Sequence, residues 1–343
     1  MTLETRRMLW PIFSLVATTL ISAFLVRVMM QMRVMDVPGH RSSHTRPVPK
    51  GGGVGIVGGF LFGVPALTLA VGLPFPTMQT LCLMLGMLLL AAFSWADDIH
   101  PFPPSTKLVI QIVAAVIILA GAGWIDTRST QGITALLGLG LSLGLGLGWM
   151  IFVTNALNFI DGINGLSSGT MALTALALNM ALTASDSAAA GLAPMVLAAS
   201  LLGFIPFNYP RASIFMGDVG SQAAGLALAW FSLDSFARLP VPLLAPLMLS
   251  AVLFDVAFTL GRRGLAGQKL TEAHRGHLYQ LAIRSGWPAW SVTLLYWGLA
   301  VWGGIVAALA ASWTTEVLCV LPPLIAWSVV VIRRARRLVP TPW

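Results

Sequence analysis

Long apolar stretches separated by short polar segments run through almost the whole chain, at 9–30, 51–72, 77–95, 106–125, 133–154, 166–184, 191–207, 219–237, 240–261, 288–311 and 315–332. As a helix, each can cross or nearly cross a hydrocarbon core of about 30 Å. The pattern predicts an all-α polytopic integral membrane protein with about 10–11 transmembrane helices. The stretch 137–148, LGLGLSLGLGLG, is apolar enough to span but poor in strong helix formers. The first stretch, from Leu9 to Met30, has no small-residue cleavage site behind it and reads as a retained span. No internal repeat is visible, so residues 1–343 read as a single membrane domain, with 333–343 as a short basic tail.

Composition supports this pattern: 57% of the residues are hydrophobic and 9% charged, where a soluble domain carries roughly a quarter charged residues. The 34 glycines suit close helix packing in a bilayer. Cys82 and Cys319 both lie inside apolar stretches, with neither disulfide nor metal-ligand spacing. The net charge of +8 sits in short loops, which points to membrane topology, lipid headgroups and anionic substrates, not to nucleic acid.

The distribution of Lys and Arg sets the orientation, because short loops rich in these residues stay in the cytoplasm. Loops after odd-numbered spans hold Arg33, Arg41, Arg46, Lys50, Lys107, Arg211, Arg262, Arg263, Lys269, Arg275 and Arg284, and the tail adds Arg333, Arg334, Arg336 and Arg337. The other side holds Arg6, Arg7, Arg128 and Arg238. The C-terminus is therefore expected inside and, with an odd count, the N-terminus outside, with Arg6 and Arg7 pulling the other way. Every unusual polar segment, at 36–53, 97–107, 155–165, 208–221 and 262–284, falls in an odd-numbered loop. They read as parts of one site on the cytoplasmic side.

Asp97 and Asp98 end the third span, where adjacent carboxylates at a membrane edge repel each other and are costly to desolvate. A bound Mg²⁺ would offset that cost and one carboxylate could serve as a base; the alternative is a pair of solvated helix-capping acids. Asn155, Asn158, Asp161 and Asn164 recur every third residue. Four such steps sweep about half of a helix circumference, so the helix must break, and Gly162 and Gly165 supply turn signals. The two earlier asparagines then end the fifth span, and Asp161 and Asn164 occupy a tight loop. Asn suits a nucleobase or sugar, and Asp161 a metal or donor group. In FMGDVGS, Asp218 lies between Gly217 and Gly220, whose backbone N–H groups could meet a phosphate with help from Ser221. Phe215 could stack on a planar ring, or simply pack.

His274 and His277 share a helical face around Arg275 and, with Lys269, suggest a cationic cradle for phosphate. Arg41, His44, Arg46 and Lys50, stiffened by Pro47 and Pro49 ahead of a triple glycine, read as a rigid anion-binding loop. Lys107 adds a further cation. Asp255, about two turns inside the ninth span, expects a partner in Arg262 or Arg263.

The ordered set DVPGHRSSHTRPVPKGG, DD, NALNFIDGINGL, FMGDVGS and HRGHLYQ, within 36–285, resembles the polyprenyl-phosphate N-acetylhexosamine-1-phosphate transferase superfamily of membrane glycosyltransferases. The resemblance implies transfer of a sugar 1-phosphate from a UDP-N-acetylated amino sugar to undecaprenyl phosphate, with release of UMP, in a bacterial inner membrane. It implies Mg²⁺, or Mn²⁺ in its place, as cofactor, and homodimers occur in the family. It also implies that Asp97 and Asp98 deprotonate the lipid phosphate and organise the metal site. Asp218 would ligate the metal, Phe215 lie against uracil, and Asp161 match the first acid of the DG motif. His274, Arg275 and His277 would form the loop at the active-site mouth. Asn164, where many relatives carry an acid, and the HRGH loop resemble the O-antigen-initiating branch with 6-deoxy donors such as UDP-N-acetylfucosamine. The rival class is a secondary transporter or lipid-linked sugar flippase, which would place polar breaks near the bilayer midplane in repeated halves.

Overall fold

The computed structural model describes residues 3–36, 46–124, 133–185, 187–241, 243–269, 272, 274–340 and 343. The described residues form helices α1 (Leu3–Met32), α2 (Gly53–Ala70), α3 (Met78–Ile99), α4 (Pro104–Gly121), α5 (Ile133–Phe159), α6 (Leu166–Ala184), α7 (Ala188–Asn208), α8 (Gly217–Phe236), α9 (Leu244–Met248), α10 (Ser250–Leu265), α11 (Leu278–Arg284), α12 (Ala289–Leu309) and α13 (Trp313–Leu338). A short antiparallel pair, β1 (Met35–Asp36) and β2 (Val48–Pro49), closes the loop after α1. Among the described residues, nine helices are long and apolar enough to cross a membrane: α1 over Leu9–Met32, α2, α3, α4, α5 over Gly138–Phe159, α6, α7, α12 and α13. The fold is an all-α polytopic membrane protein.

Ten of the eleven predicted spans coincide with single helices, including the glycine-rich stretch inside α5. The ninth does not. It divides into the five-residue α9 and the sixteen-residue α10, and at 1.5 Å per residue α10 reaches only about 24 Å. The α9–α10 junction presses onto α12, where a Cβ on Gly303 would lie 2.1 Å from the Leu247 carbonyl oxygen. The polar positions Asp255, Arg262 and Arg263 therefore fall on a short helix braced by α12.

Helix α8 is the axis of the bundle. Every residue from Val219 to Ser232 is buried, against α2, α3, α5 and α6. A helix covered all round needs no polar face, and its run of Gly, Ala and Ser lets neighbours approach closely. The tightest approach is to α2, where a Cβ on Gly53 would sit 2.1 Å from the Gly220 nitrogen. The triple glycine is thus a packing device. Strand-like bonds fasten the same crossing: Phe215 N–H donates to the Pro49 carbonyl at 2.8 Å, and Gly52 N–H to the Phe215 carbonyl at 2.9 Å. Lys50 and Phe215 are thereby fixed beside the N-terminus of α8.

Candidate active site

The last turn of α3 carries the acidic pair. Asp97 is buried, accepts from the Phe102 N–H at 2.8 Å and forms an ion pair with Lys107 on α4. Asp98 accepts from Lys50 at 2.8 Å through Oδ1, while its buried Oδ2 has no hydrogen-bond partner. These are not two solvated capping acids. Each has its own lysine, so much of the mutual repulsion is offset within the chain. An orphaned buried carboxylate oxygen is uncommon and calls for a cation or a donor from a ligand.

Asp218, in the first turn of α8, is held by neutral amides on both oxygens. Asn158 donates to Oδ1 at 3.0 Å and Gln222, one turn on, donates to Oδ2 at 3.1 Å. Behind them Gln111 donates to the Gln222 Oε1 at 3.1 Å and accepts from Asn155 at 2.8 Å. A chain of amides from α4 through α5 to α8 thus ends on one carboxylate. Neutral donors orient it without cancelling its charge, leaving it able to meet a cation.

The predicted helix break lies at 160–165, where Gly165 adopts φ +77° and its N–H donates to Asn208 Oδ1 at 2.6 Å. Asn155 and Asn158 end α5, and Asp161 and Asn164 occupy the turn. Burial first, and the Asp218 charge second, push the Asp161 carboxyl well above the ordinary carboxylate range. Asn164 donates to the Pro210 carbonyl at 3.2 Å, tying this turn to the segment before α8.

The histidine loop is not a cationic cradle. Arg263 donates to the Lys269 carbonyl at 2.6 Å, Arg262 to the Gly276 carbonyl at 2.8 Å and Arg284 to the Arg275 carbonyl at 2.9 Å. These guanidinium groups hold the loop backbone. Burial, with the His277, Arg263 and Arg262 charges, pulls the His274 imidazole down to about 4, so it is neutral at pH 7. Asp255 pairs with neither arginine. It lies 3.2 Å from His277 Nδ1 and accepts from the Leu278 N–H at 2.8 Å, the Tyr279 N–H at 3.1 Å and the Tyr296 hydroxyl at 2.6 Å.

Two adjoining cavities collect these groups. The first, about 350 Å³, is lined by Asp36, Lys50, Asp98, Asn158, Asp161, Asn164, Asn208, Phe215, Asp218 and Gln280 among others. The second, about 440 Å³, includes Lys107, Gln111, Asn155, Asn158, Asp218, Gln222, His274, His277 and Gln280. Asn158, Asp218 and Gln280 belong to both. The second continues through Leu108, Asn155, Phe159 and Leu260 into an apolar groove of about 520 Å³ between α4, α5 and α10.

Of the residues singled out from sequence, Ser221 is fully buried, donating to the Gly217 carbonyl at 3.1 Å and accepting from Asn158 at 2.9 Å. Its hydroxyl does not reach a cavity. A Cβ on Gly220 would meet Gly53 and Met216, so this glycine also serves packing and not a phosphate cradle. Arg275 lines neither cavity. Arg41 and His44 lie outside the described residues. Sequence reasoning missed Asp36, Gln111, Asn208, Gln222 and Gln280. Gln111 and Gln222 carried the one available signal, an uncharged amide inside an apolar stretch.

Among the described residues, no three His, Cys, Asp or Glu side chains converge closely enough to hold a metal by themselves. That suits a Mg²⁺ ion, which usually takes one or two carboxylates and completes its shell with water and substrate phosphate. Asp98, with its orphaned oxygen, and Asp218, held by neutral amides, fit that donor set.

A buried axial helix, with acids, lysines and imidazoles converging where two polar cavities meet a lipid-facing groove, defines a membrane-embedded transferase for charged substrates. The chain belongs to glycosyl transferase family 4, whose profile matches residues 80–236. It is 29% identical over 284 residues to the probable undecaprenyl-phosphate N-acetylglucosaminyl 1-phosphate transferase of Bacillus subtilis, covering 80% of this chain and 76% of that one. It is 31% identical over 304 residues to the decaprenyl-phosphate N-acetylglucosaminephosphotransferase of Mycobacterium tuberculosis, covering 80% and 74%. The phospho-N-acetylmuramoyl-pentapeptide-transferase of Moorella thermoacetica is 29% identical over 266 residues, covering 71% and 79%.

Proposed function

We propose that this protein transfers the sugar 1-phosphate of a UDP-N-acetylated hexosamine to undecaprenyl phosphate, giving undecaprenyl-diphosphate-sugar and UMP. The reaction takes place at the cytoplasmic face of a bacterial inner membrane and opens the synthesis of an O-antigen or another envelope polysaccharide. The observation that carries this reading is the shared wall of the two cavities. One cavity offers an aromatic ring, Phe215, and acids; the other opens on an apolar groove. A nucleotide sugar suits the first and a lipid phosphate the second, its polyprenyl chain lying in the groove, so that the two phosphates meet at Asp218.

Charge adds a requirement. The first cavity is lined by Asp36, Asp98, Asp161 and Asp218 against Lys50, and a diphosphate would be repelled by that wall on its own. A Mg²⁺ ion, or Mn²⁺, held by Asp98 and Asp218 would neutralise the diphosphate and draw charge from the departing UMP. Lys50 stays on Asp98 and holds its second oxygen toward the shared wall. Lys107, paired with Asp97, stands at the edge of the lipid-phosphate cavity.

Purified protein with Mg²⁺, undecaprenyl phosphate and a panel of UDP-sugars, including UDP-N-acetylglucosamine and UDP-N-acetylfucosamine, is expected to release UMP with at least one donor. Asp98→Asn and Asp218→Asn should each lower kcat by about 100-fold or more. No UMP from any donor, or full activity in both variants, would refute the reading. The 6-deoxy preference rests on Asn164 and the HRGH loop, and the same panel tests it.

A further inference from the structure

Three residues line both cavities: Asn158, Asp218 and Gln280. Two of them have no hydrogen to give a substrate. Asn158 spends its amide hydrogens on Asp218 Oδ1 at 3.0 Å and Ser221 at 2.9 Å, and Asp218 is engaged as an acceptor by Asn158 and Gln222. The Gln280 amide is oriented by its neighbours. The His277 N–H donates to Gln280 Oε1 at 3.3 Å, and the Gln280 N–H returns a bond to the His277 side chain, closing a capping box at the start of α11. Gln280 Nε2 donates to the Tyr279 hydroxyl at 3.1 Å, and that hydroxyl gives its own hydrogen to the Phe159 carbonyl at 2.9 Å. A donor on one side and an acceptor on the other admit one orientation of the amide. It leaves the second hydrogen on Nε2 without a partner among the described residues. Tyr279 is buried, and its bond to Phe159 ties the amide to the last turn of α5, which carries Asn158.

We propose that Gln280 is a catalytic residue that donates this hydrogen to a non-bridging oxygen of the sugar-bearing phosphoryl group as it passes between the two cavities. This rests on the reading of the cavities as the nucleotide-sugar and lipid-phosphate sites. In the step, an oxygen of the lipid phosphate forms a bond to the sugar-bearing phosphorus. The bond from that phosphorus to the oxygen it shares with the uridine phosphate breaks, and its electron pair leaves with UMP. Gln280 neither gains nor loses a proton. Charge in such a transfer spreads over the non-bridging oxygens, and a donor already held in place by His277 and Tyr279 stabilises it without reorganising. The other two residues of the shared wall offer this oxygen no donor. A carboxylate in place of the amide would repel it.

The test is UMP release by the full chain in detergent with Mg²⁺, undecaprenyl phosphate and UDP-N-acetylglucosamine, or UDP-N-acetylfucosamine if that is the donor. Gln280→Glu keeps the capping box, because Glu at this position accepts from the same N–H, yet it has no hydrogen for the phosphoryl oxygen. Gln280→Met keeps the length of the side chain and loses both. Each should lower kcat by about 100-fold, Gln280→Met with KM for the UDP-sugar nearly unchanged, and only Gln280→Met should lower the melting temperature. The decisive readout is the same UDP-sugar with sulfur in place of one non-bridging oxygen on the sugar-bearing phosphorus, because sulfur is the weaker acceptor. For one of its two diastereomers the oxygen-to-sulfur rate ratio should be about 10-fold smaller in both variants than in wild type. A residue that only caps α11 would leave that ratio unmoved. If Gln280→Met does not fold, Gln280→Glu and its rate ratio still decide. Wild-type kcat in either variant, or an unmoved ratio for both diastereomers, overturns the proposal while the reaction stands. Absence of UMP release by wild type with every donor refutes the reaction, and this role with it.

Discussion

Asp161 shows how a single carboxyl can trade stability for binding. Its pKa is raised in the fold by burial and by Asp218, so the folded state holds the proton more tightly than the unfolded chain. Stability of the ligand-free protein then falls as pH rises from about 4 through the raised value. Asp161→Asn removes that cost. The melting temperature at pH 8 should rise by a few degrees and the gain should vanish near pH 4, while UMP release drops by about 10-fold or more. His274 titrates in the opposite sense. Its folded pKa is about 4 against 6.5 unfolded, so stability is lost as pH falls through that window, and a pH series of melts should show His274→Gln lacking this component. These two were legible in the sequence because Asp161 repeats a three-residue polar spacing beside turn glycines and His274 pairs with His277 in a basic loop. Gln111 and Gln222 left only the signal of an amide inside an apolar stretch, because a neutral amide costs little until the fold surrounds it and the pairing of α4 with α8 that joins them is set by packing alone. For Asp255 the sequence offered Arg262 and Arg263 by proximity along one helix; the fold supplies His277, which lies 22 positions on across a turn.

At the scale of elements, the site depends on the crossing of α2 and α8. Lys50 and Phe215 face the first cavity because the segments before these helices are bonded to one another, and those bonds need the backbones in contact. A Cβ on Gly53 would sit 2.1 Å from the Gly220 nitrogen. Gly53→Ala should therefore force the helices apart, destabilise the protein by about 3 kcal/mol and abolish activity together. Gly138→Ala on α5, where a Cβ meets nothing within 4 Å, is the control and should match or exceed wild-type stability, by up to ~1 kcal/mol on helix propensity. Thermal melts of both variants in detergent separate the two roles of glycine. The described helices long and apolar enough to cross a membrane number nine, below the 10–11 expected. The placement of ten of the helices and the position of the 160–165 break followed from apolar length and turn residues. That α8 is the buried axis, and that the ninth stretch divides, did not, since hydropathy measures length and polarity and carries nothing about which helix its neighbours cover.

For the whole molecule, the remaining variable is which way the site faces. Helix α2 starts at the site, beside Lys50 and α8, and ends at Ala70, so the turn containing Leu73 lies at the opposite end of the bundle from the loop containing Lys269. The orientation in the proposed function, with that end in the cytoplasm, rests on the excess of Lys and Arg in the loops that the sequence assigns to that side. The proposed UDP-sugar donor would require the same orientation, because such nucleotides are cytosolic. Both positions are accessible: the Lys269 side chain is 79% exposed and Leu73 is 37% exposed. In a chain with Cys82 and Cys319 replaced by Ala, Leu73→Cys should react with a membrane-impermeant maleimide added to intact cells. Lys269→Cys should react only after the membrane is opened. The reverse pattern would put the acids and imidazoles on the outer face, out of reach of a cytosolic nucleotide sugar, and would leave the arrangement of charge without a topological explanation.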